Sequence, residues 1–160
     1  MSDSEAGFHV VSGTGKAFWG PGDMYTFLIS GEQAGGGFFA MEGLVPAGGG
    51  PPPHIHERED ETLYILEGTC NVQVGEQQLV ASPGGFIFLP RGTVHAFRND
   101  GPDKLRLILT FVPAGIEQFF EEVLEPVTDR TAVPPPPTKE LVDRLLATGP
   151  KYGIKFVLPE

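Results

Sequence analysis

Cysteine is almost absent from the sequence, which has 160 residues and a single cysteine, Cys70. One cysteine excludes both a disulfide framework and a thiolate zinc site within one chain, so we expect Cys70 to be a small buried apolar residue. No apolar run approaches membrane-spanning length. Residues 1–7 are polar and acidic, unlike the basic start and apolar stretch of a signal peptide, which favours a cytoplasmic protein.

Basic residues are also few. The chain has 11 lysines and arginines and 21 aspartates and glutamates, which gives a formal charge of −10. This balance argues against nucleic acid and anionic membrane surfaces as partners, because both are bound by basic faces. Glycine (22) and proline (16) are abundant, as in β proteins with short strands and frequent turns. The length suits a single domain with a real core.

Short apolar stretches separated by turn residues predict an antiparallel β fold. The predicted strands cover residues 24–30, 38–45, 54–56, 61–67, 70–74, 77–80, 86–89, 94–98 and 105–112. No helical pattern lies between them, so parallel α/β folds lack their crossover helices and an antiparallel barrel or sandwich is favoured. The fold class is therefore all-β.

The C-terminal third has a different pattern and predicts a helical extension. Apolar residues at helical spacing predict a helix over 116–124 and another over 139–148, with Thr138 as its N-cap. We interpret Pro134–Pro137 as a rigid linker. The alternative is that it is a docking site for a proline-binding module. Residues 154–158 fit either a last edge strand or a packed tail.

Three histidines and one glutamate form the pattern that carries chemistry. His54 and His56 are two residues apart on a predicted strand, so both imidazoles project from one face. A polar turn lets Glu61 fold back beside them, and His95 begins a later strand after a turn. Three imidazoles and a carboxylate suit one divalent ion of manganese, iron, cobalt, nickel or zinc. His9 has no such partners and is taken as an ordinary histidine.

The spacing around these residues resembles the cupin superfamily. The first motif reads Gly48-x5-His54-x-His56-x4-Glu61-x6-Gly68, and the second reads Gly84-x5-Pro90-x-Gly92-x2-His95-x3-Asn99. Cupins are double-stranded β-helix (jelly-roll) barrels, and the resemblance implies that His54, His56, Glu61 and His95 are the metal ligands. It also implies one cupin domain over residues 1–160, with a barrel core at about 24–112 and a helical extension at about 115–160.

Three sequence segments resemble, more specifically, bacterial monocupins related to quercetin dioxygenase. The segments that carry it are PPPHIHEREDETLYILEG, PRGTVHAF and PAGIEQFFEEV. The resemblance implies a metal-dependent dioxygenase acting on a small aromatic, flavonol-like or enol-bearing compound, with Glu61 as ligand and general base. The alternative is a non-oxygenase cupin, either an isomerase or decarboxylase of a small acid or a small-molecule binding or sensor protein. Because cupins often dimerise through barrel edges, we expect a homodimer.

Candidate pocket residues follow from the same periodicity. If Glu61 faces inward, Leu63 and Ile65 do too, and Phe97 shares a face with His95. Further candidates are Tyr25, Phe27, Phe39, Met41 and Phe111, and the alternative for all eight is plain barrel core. We expect the carboxylates of Glu57, Glu59 and Asp60 to lie in a loop and to be solvated. We expect Arg91 to lie on the surface. The alternative is that it lies at the mouth of the barrel.

Overall fold

Two antiparallel β-sheets form the body of the protein. The computed structural model describes residues 6–158, so residues 1–5 of the acidic N-terminus and residues 159–160 of the predicted extension lie outside it. The described strands are β1 (Ala17–Trp19), β2 (Met24–Ile29), β3 (Phe39–Val45), β4 (His54–His56), β5 (Asp60–Glu67), β6 (Cys70–Val74), β7 (Gln77–Ala81), β8 (Phe86–Leu89), β9 (His95–Arg98), β10 (Leu105–Val112), β11 (Glu125–Pro126) and β12 (Ile154–Phe156).

The strand order places the core between the two sheets. The larger sheet has the order β11-β1-β2-β3-β10-β5-β8, and the smaller has β12-β4-β9-β6-β7. Alternate residues are buried, as on β10, where Leu105, Leu107, Leu109 and Phe111 enter the core and the residues between them do not. The prediction of an all-β fold of the cupin jelly-roll type is confirmed, and Cys70 is buried as expected.

Two strands were missed by the sequence reasoning. Strand β1 has only three residues, too few for an alternating pattern to be visible. Strand β11 has two residues and contains Pro126, which the pattern interpreted only as the end of a helix. The two pair with each other, with Phe18 opposite Pro126, and so attach the C-terminal region to the larger sheet.

The C-terminal helices form close to their predicted bounds. Helix α1 covers Glu117–Val123 and α2 covers Lys139–Thr148. The Thr138 hydroxyl accepts the backbone N–H of Leu141 at 3.2 Å, which confirms its role as N-cap. A 3-10 turn, Gly149–Tyr152, then leads into β12.

No helix among residues 6–158 has the length and apolar character needed to cross a membrane.

Candidate metal centre

The four predicted ligands meet at one end of the core. His54 and His56 project from the same face of β4, Glu61 comes from β5, and His95 comes from β9, directly opposite His54 in the sheet. All four side chains are buried, and one ligand atom from each lies within 4.8 Å of the others. Strands from both sheets therefore supply this cluster of three histidines and one glutamate.

The distances within the cluster are those of donor atoms converging on one point. The Nε2 atoms of His54 and His56 are 3.1 Å apart. Glu61 Oε2 lies 3.0 Å from His95 Nε2 and 3.3 Å from His56 Nε2. Three ring nitrogens and one carboxylate oxygen therefore point into one small buried space.

Backbone carbonyls orient two of the three rings. His54 Nδ1 lies 2.8 Å from the Pro52 carbonyl oxygen, and His95 Nδ1 lies 3.2 Å from that of Thr93. A ring nitrogen facing a carbonyl carries the hydrogen, so the Nε2 atom of each neutral ring keeps its lone pair for the cluster. This is the tautomer that a metal-binding histidine needs.

Electrostatics favour the metal-binding protonation state at two of the four groups. Burial lowers the pKa of His54 to about 3, with further lowering by His56 and His95, so this ring is neutral at physiological pH. Burial raises the pKa of Glu61, but hydrogen bonds to His56 and His95 outweigh it and hold that pKa well below its usual range. Burial lowers the pKa of His95, but the hydrogen bond and charge of Glu61 outweigh burial and raise that pKa. A neutral His54 and an ionised Glu61 fit a divalent transition metal.

The C-terminal tail supports the strand that carries two of the ligands. In β12, Ile154 pairs with His56 and Phe156 with His54. The Glu57 N–H also donates to the Gly153 carbonyl oxygen at 2.8 Å. Of the two readings of residues 154–158, the edge strand is the one observed, and it holds the His-x-His segment between β12 and β9.

A cavity opens directly on the cluster. Its volume is about 150 Å³, and it is partly open to solvent. His54, His56 and Glu61 lie in its wall, and among residues 6–158 Tyr25 is the only other lining residue that has a polar side chain. The remaining lining residues are apolar: Pro21, Met41, Pro51, Pro52, Phe97, Leu109, Phe111, Phe119, Phe120, Leu124, Val142, Leu145, Leu146, Ile154, Phe156 and Leu158.

Half of the eight candidate pocket residues line this cavity. The structure places Tyr25, Met41, Phe97 and Phe111 in its wall, whereas Phe27, Phe39, Leu63 and Ile65 do not line it. Leu63 and Ile65 share the inward face of Glu61 but lie farther along β5, fully buried in the core. Phe39 packs between the rings of Phe27 and Phe111, with ring centroids 4.8 and 5.8 Å away.

Much of the cavity wall comes from the C-terminal region. Phe119 and Phe120 of α1, Leu145 and Leu146 of α2 and Phe156 of β12 all line it. The amphipathic patterns of 116–124 and 139–148 predicted these apolar faces. The structure shows that part of them covers the end of the core where the four predicted ligands meet.

The charged residues around the cluster differ in burial. Glu57 is exposed and pairs with Lys155 at 2.8 Å, and Asp60 pairs with Arg91 at 3.1 Å, as expected for surface groups. Glu59 was expected to be solvated, but it is only 4% exposed. That expectation was wrong because Glu59 lies two residues before Glu61 and faces the interior with it.

Another buried acid lies behind the cavity wall. Asp23 is 1% exposed and accepts a hydrogen bond from the Tyr25 hydroxyl at 2.8 Å. Gly20 packs against both side chains, and any Cβ there would collide with them. Burial raises the pKa of Asp23 from 3.8 to about 7, despite the hydrogen bond from Tyr25. This acid makes the stability of the fold depend on pH.

We predict that Asp23→Asn stabilises the protein at high pH only. Between pH 3.8 and about 7 the folded protein keeps a proton that the unfolded chain has released, so the free energy of unfolding falls as pH rises. In the variant the free energy of unfolding does not fall in this way. Above that pH range it should exceed the wild-type value by up to about 4 kcal/mol. Urea unfolding at low and high pH measures the difference. The exposed Asp103→Asn is the control, and an unchanged pH slope in Asp23→Asn would contradict the prediction.

Comparison with known proteins agrees with this geometry. The Cupin domain family model matches residues 41–111. The chain is 25% identical to the quercetin 2,3-dioxygenase of Bacillus subtilis over 99% of its own length, and 31% identical to that of Aspergillus japonicus over 79%. It spans only 47% and 37% of those two relatives, about half their length or less.

A solved structure shows the same fold. KdgF from Halomonas sp. superposes with a TM-score of 0.61 at 23% identity, covering 71% of this chain and 98% of that one. Together with the two motifs and the strand order, these matches identify the class of protein. Residues 41–111 of the chain are a cupin domain.

Proposed function

We propose that the protein is a metal-dependent dioxygenase that acts on a small aromatic, flavonol-like or enol-bearing compound. The observation that carries the proposal is the apolar, aromatic-walled cavity that opens on the cluster of three histidines and one glutamate. The similarity to two quercetin 2,3-dioxygenases supports the same chemistry. His54, His56, Glu61 and His95 would hold one divalent ion.

The proposed roles of the residues follow from their positions. A bound divalent ion supplies Lewis acidity, which lowers the pKa of a substrate hydroxyl group placed beside it. Glu61 lies in the cavity wall and is ionised, so it is the group that accepts the proton from that hydroxyl. Phe111 and Phe120 offer flat apolar surfaces for an aromatic ring and keep water from it.

The lining is poorly suited to the alternative substrate class. A small polar acid would need cationic side chains to balance its charge. Among residues 6–158, neither lysine nor arginine lines this cavity, and Arg91 instead bonds Asp60 at the surface. The isomerase or decarboxylase of a small acid is therefore the weaker hypothesis.

Oxygen consumption tests the proposal. Metal-free protein is reloaded separately with manganese, iron, cobalt, nickel or zinc, and each form is mixed with a panel of flavonols in an oxygen electrode. Uptake that requires a particular metal and a flavonol is expected. Absence of uptake with every loaded form would remove flavonols as substrates and favour a binding or sensor role.

We also propose a homodimer, formed through the edge of the larger sheet. Strand β8 lies at that edge and exposes Phe86 and Phe88, beside Tyr64 of the neighbouring strand. Exposed apolar edges are usually covered by a partner. Light scattering should give twice the 17.2 kDa chain mass, and Phe86→Lys combined with Phe88→Lys should give monomers. A wild-type monomer would contradict the dimer.

The cytoplasmic location also remains a prediction.

A further inference from the structure

The third histidine of the cluster lacks the support that the other two have. His54 and His95 each have a backbone carbonyl beside Nδ1, at 2.8 and 3.2 Å. His56 Nδ1 is buried and has no hydrogen-bond partner among the described residues. If His56 binds a metal through Nε2, its Nδ1 must carry a hydrogen, and that buried donor then needs an acceptor.

A buried acceptor without a partner lies three residues along the chain. Glu59 Oε2 is one of only three buried side-chain atoms in the described part of the chain that lack a hydrogen-bond partner, and His56 Nδ1 is another. The third, Asp23 Oδ1, belongs to the separate pair that Asp23 forms with Tyr25. Unpartnered buried polar atoms are rare in folded proteins, so a complementary pair within three residues calls for a joint explanation.

The fold holds Glu59 on the side of the cluster. Residues alternate along the start of β5, so Asp60 turns outward to Arg91 while Glu59 and Glu61 turn inward. Burial raises the pKa of Glu59. Glu59 shares the inward side of this segment with Glu61, whose Oε2 lies 3.3 Å from His56 Nε2.

We propose that Glu59 is a positioning residue for the metal centre. It accepts the hydrogen bond of His56 Nδ1–H, directly or through one bridging water molecule, and so keeps the lone pair of His56 Nε2 directed at the metal. This inference rests on the proposed metal centre, and it assigns Glu59 no contact with substrate. Outer partners of this kind change metal affinity by about 10- to 100-fold when they are removed.

Zinc affinity and the state of the His56 ring test this role without any use of activity. Glu59→Leu removes the acceptor at similar size, Glu59→Gln keeps a carbonyl acceptor, and Glu57→Leu is the control because Glu57 is exposed. Competition with a chromophoric chelator measures zinc binding. We expect affinity to fall about 10- to 100-fold in Glu59→Leu, to recover largely in Glu59→Gln, and to stay unchanged in Glu57→Leu.

Imidazole ¹H–¹⁵N spectra of the zinc-loaded proteins separate positioning from simple stability. The Nδ1–H signal of His56 should be shifted or lost in Glu59→Leu and retained in Glu59→Gln, while the signals of His54 and His95 stay in place. If Glu59→Leu showed the same zinc affinity and the same His56 signals as Glu57→Leu, the role of Glu59 would be contradicted. The metal centre itself would stand. A wild-type protein that binds no zinc would overturn the metal centre as well.

Discussion

His54→Ala and His95→Ala are each expected to abolish stoichiometric metal binding. Each change removes one of the four converging donors, and His95→Ala also removes the ring whose Nε2 lies 3.0 Å from Glu61 Oε2. The loss of affinity should exceed the roughly 100-fold effect of removing an outer partner. Metal content after loading and dialysis, measured by inductively coupled plasma mass spectrometry, gives the result directly.

His9→Ala provides the matched control for these two variants. His9 is exposed and lies outside the cluster, so its replacement should leave one metal ion per chain. Circular dichroism shows whether each variant keeps its β-sheet signal, which separates loss of the site from loss of the fold. Retention of a full metal equivalent in both His54→Ala and His95→Ala would contradict the assignment of the ligands.

Glu61→Gln is expected to reduce flavonol-dependent oxygen uptake by at least about 100-fold, the usual lower range for loss of a general base. Glutamine has nearly the same shape but cannot accept the substrate proton at neutral pH. The change also weakens one ligand, so metal content is measured beside the rate. Both measurements together show how much of the loss comes from the base and how much from the site.

Glu57→Gln is the control here, because this neighbouring carboxylate is exposed and pairs only with Lys155 at the surface. Its uptake should equal that of the wild-type protein. If Glu61→Gln, measured with a full metal equivalent, consumed oxygen as fast as Glu57→Gln does, the role of Glu61 as general base would be contradicted.

The clustering of the four proposed ligands could be predicted because it depends on short-range geometry. The two-residue spacing of His54 and His56 determines a shared face on any strand. Motif spacing then brought Glu61 and His95 to the same end of the barrel. Asn99, the last residue of the second motif, donates to the carbonyl oxygens of Val45 and Asp103 at 2.9 and 2.8 Å. Each of these inferences needed only local periodicity or a complete motif.

The cavity wall could not be predicted in the same way, because it depends on contacts between distant segments. Periodicity placed Leu63 and Ile65 on the inward face correctly, but it does not measure depth along the strand. Leu145 reaches the cavity only because β11 and β12 attach the C-terminal region to the two sheets. Glu59 was misjudged because a cluster of charges in a turn usually lies in solvent.

The fate of the oxygen atoms distinguishes a dioxygenase from a protein that only binds its ligand. Protein loaded with the metal that supports uptake is supplied with a flavonol under ¹⁸O₂, and the products are analysed by mass spectrometry. We expect both labelled atoms to enter the cleaved substrate and metal-free protein to leave the flavonol intact. An unchanged flavonol in the loaded protein, or labelled oxygen recovered only as water or peroxide, would contradict a dioxygenase.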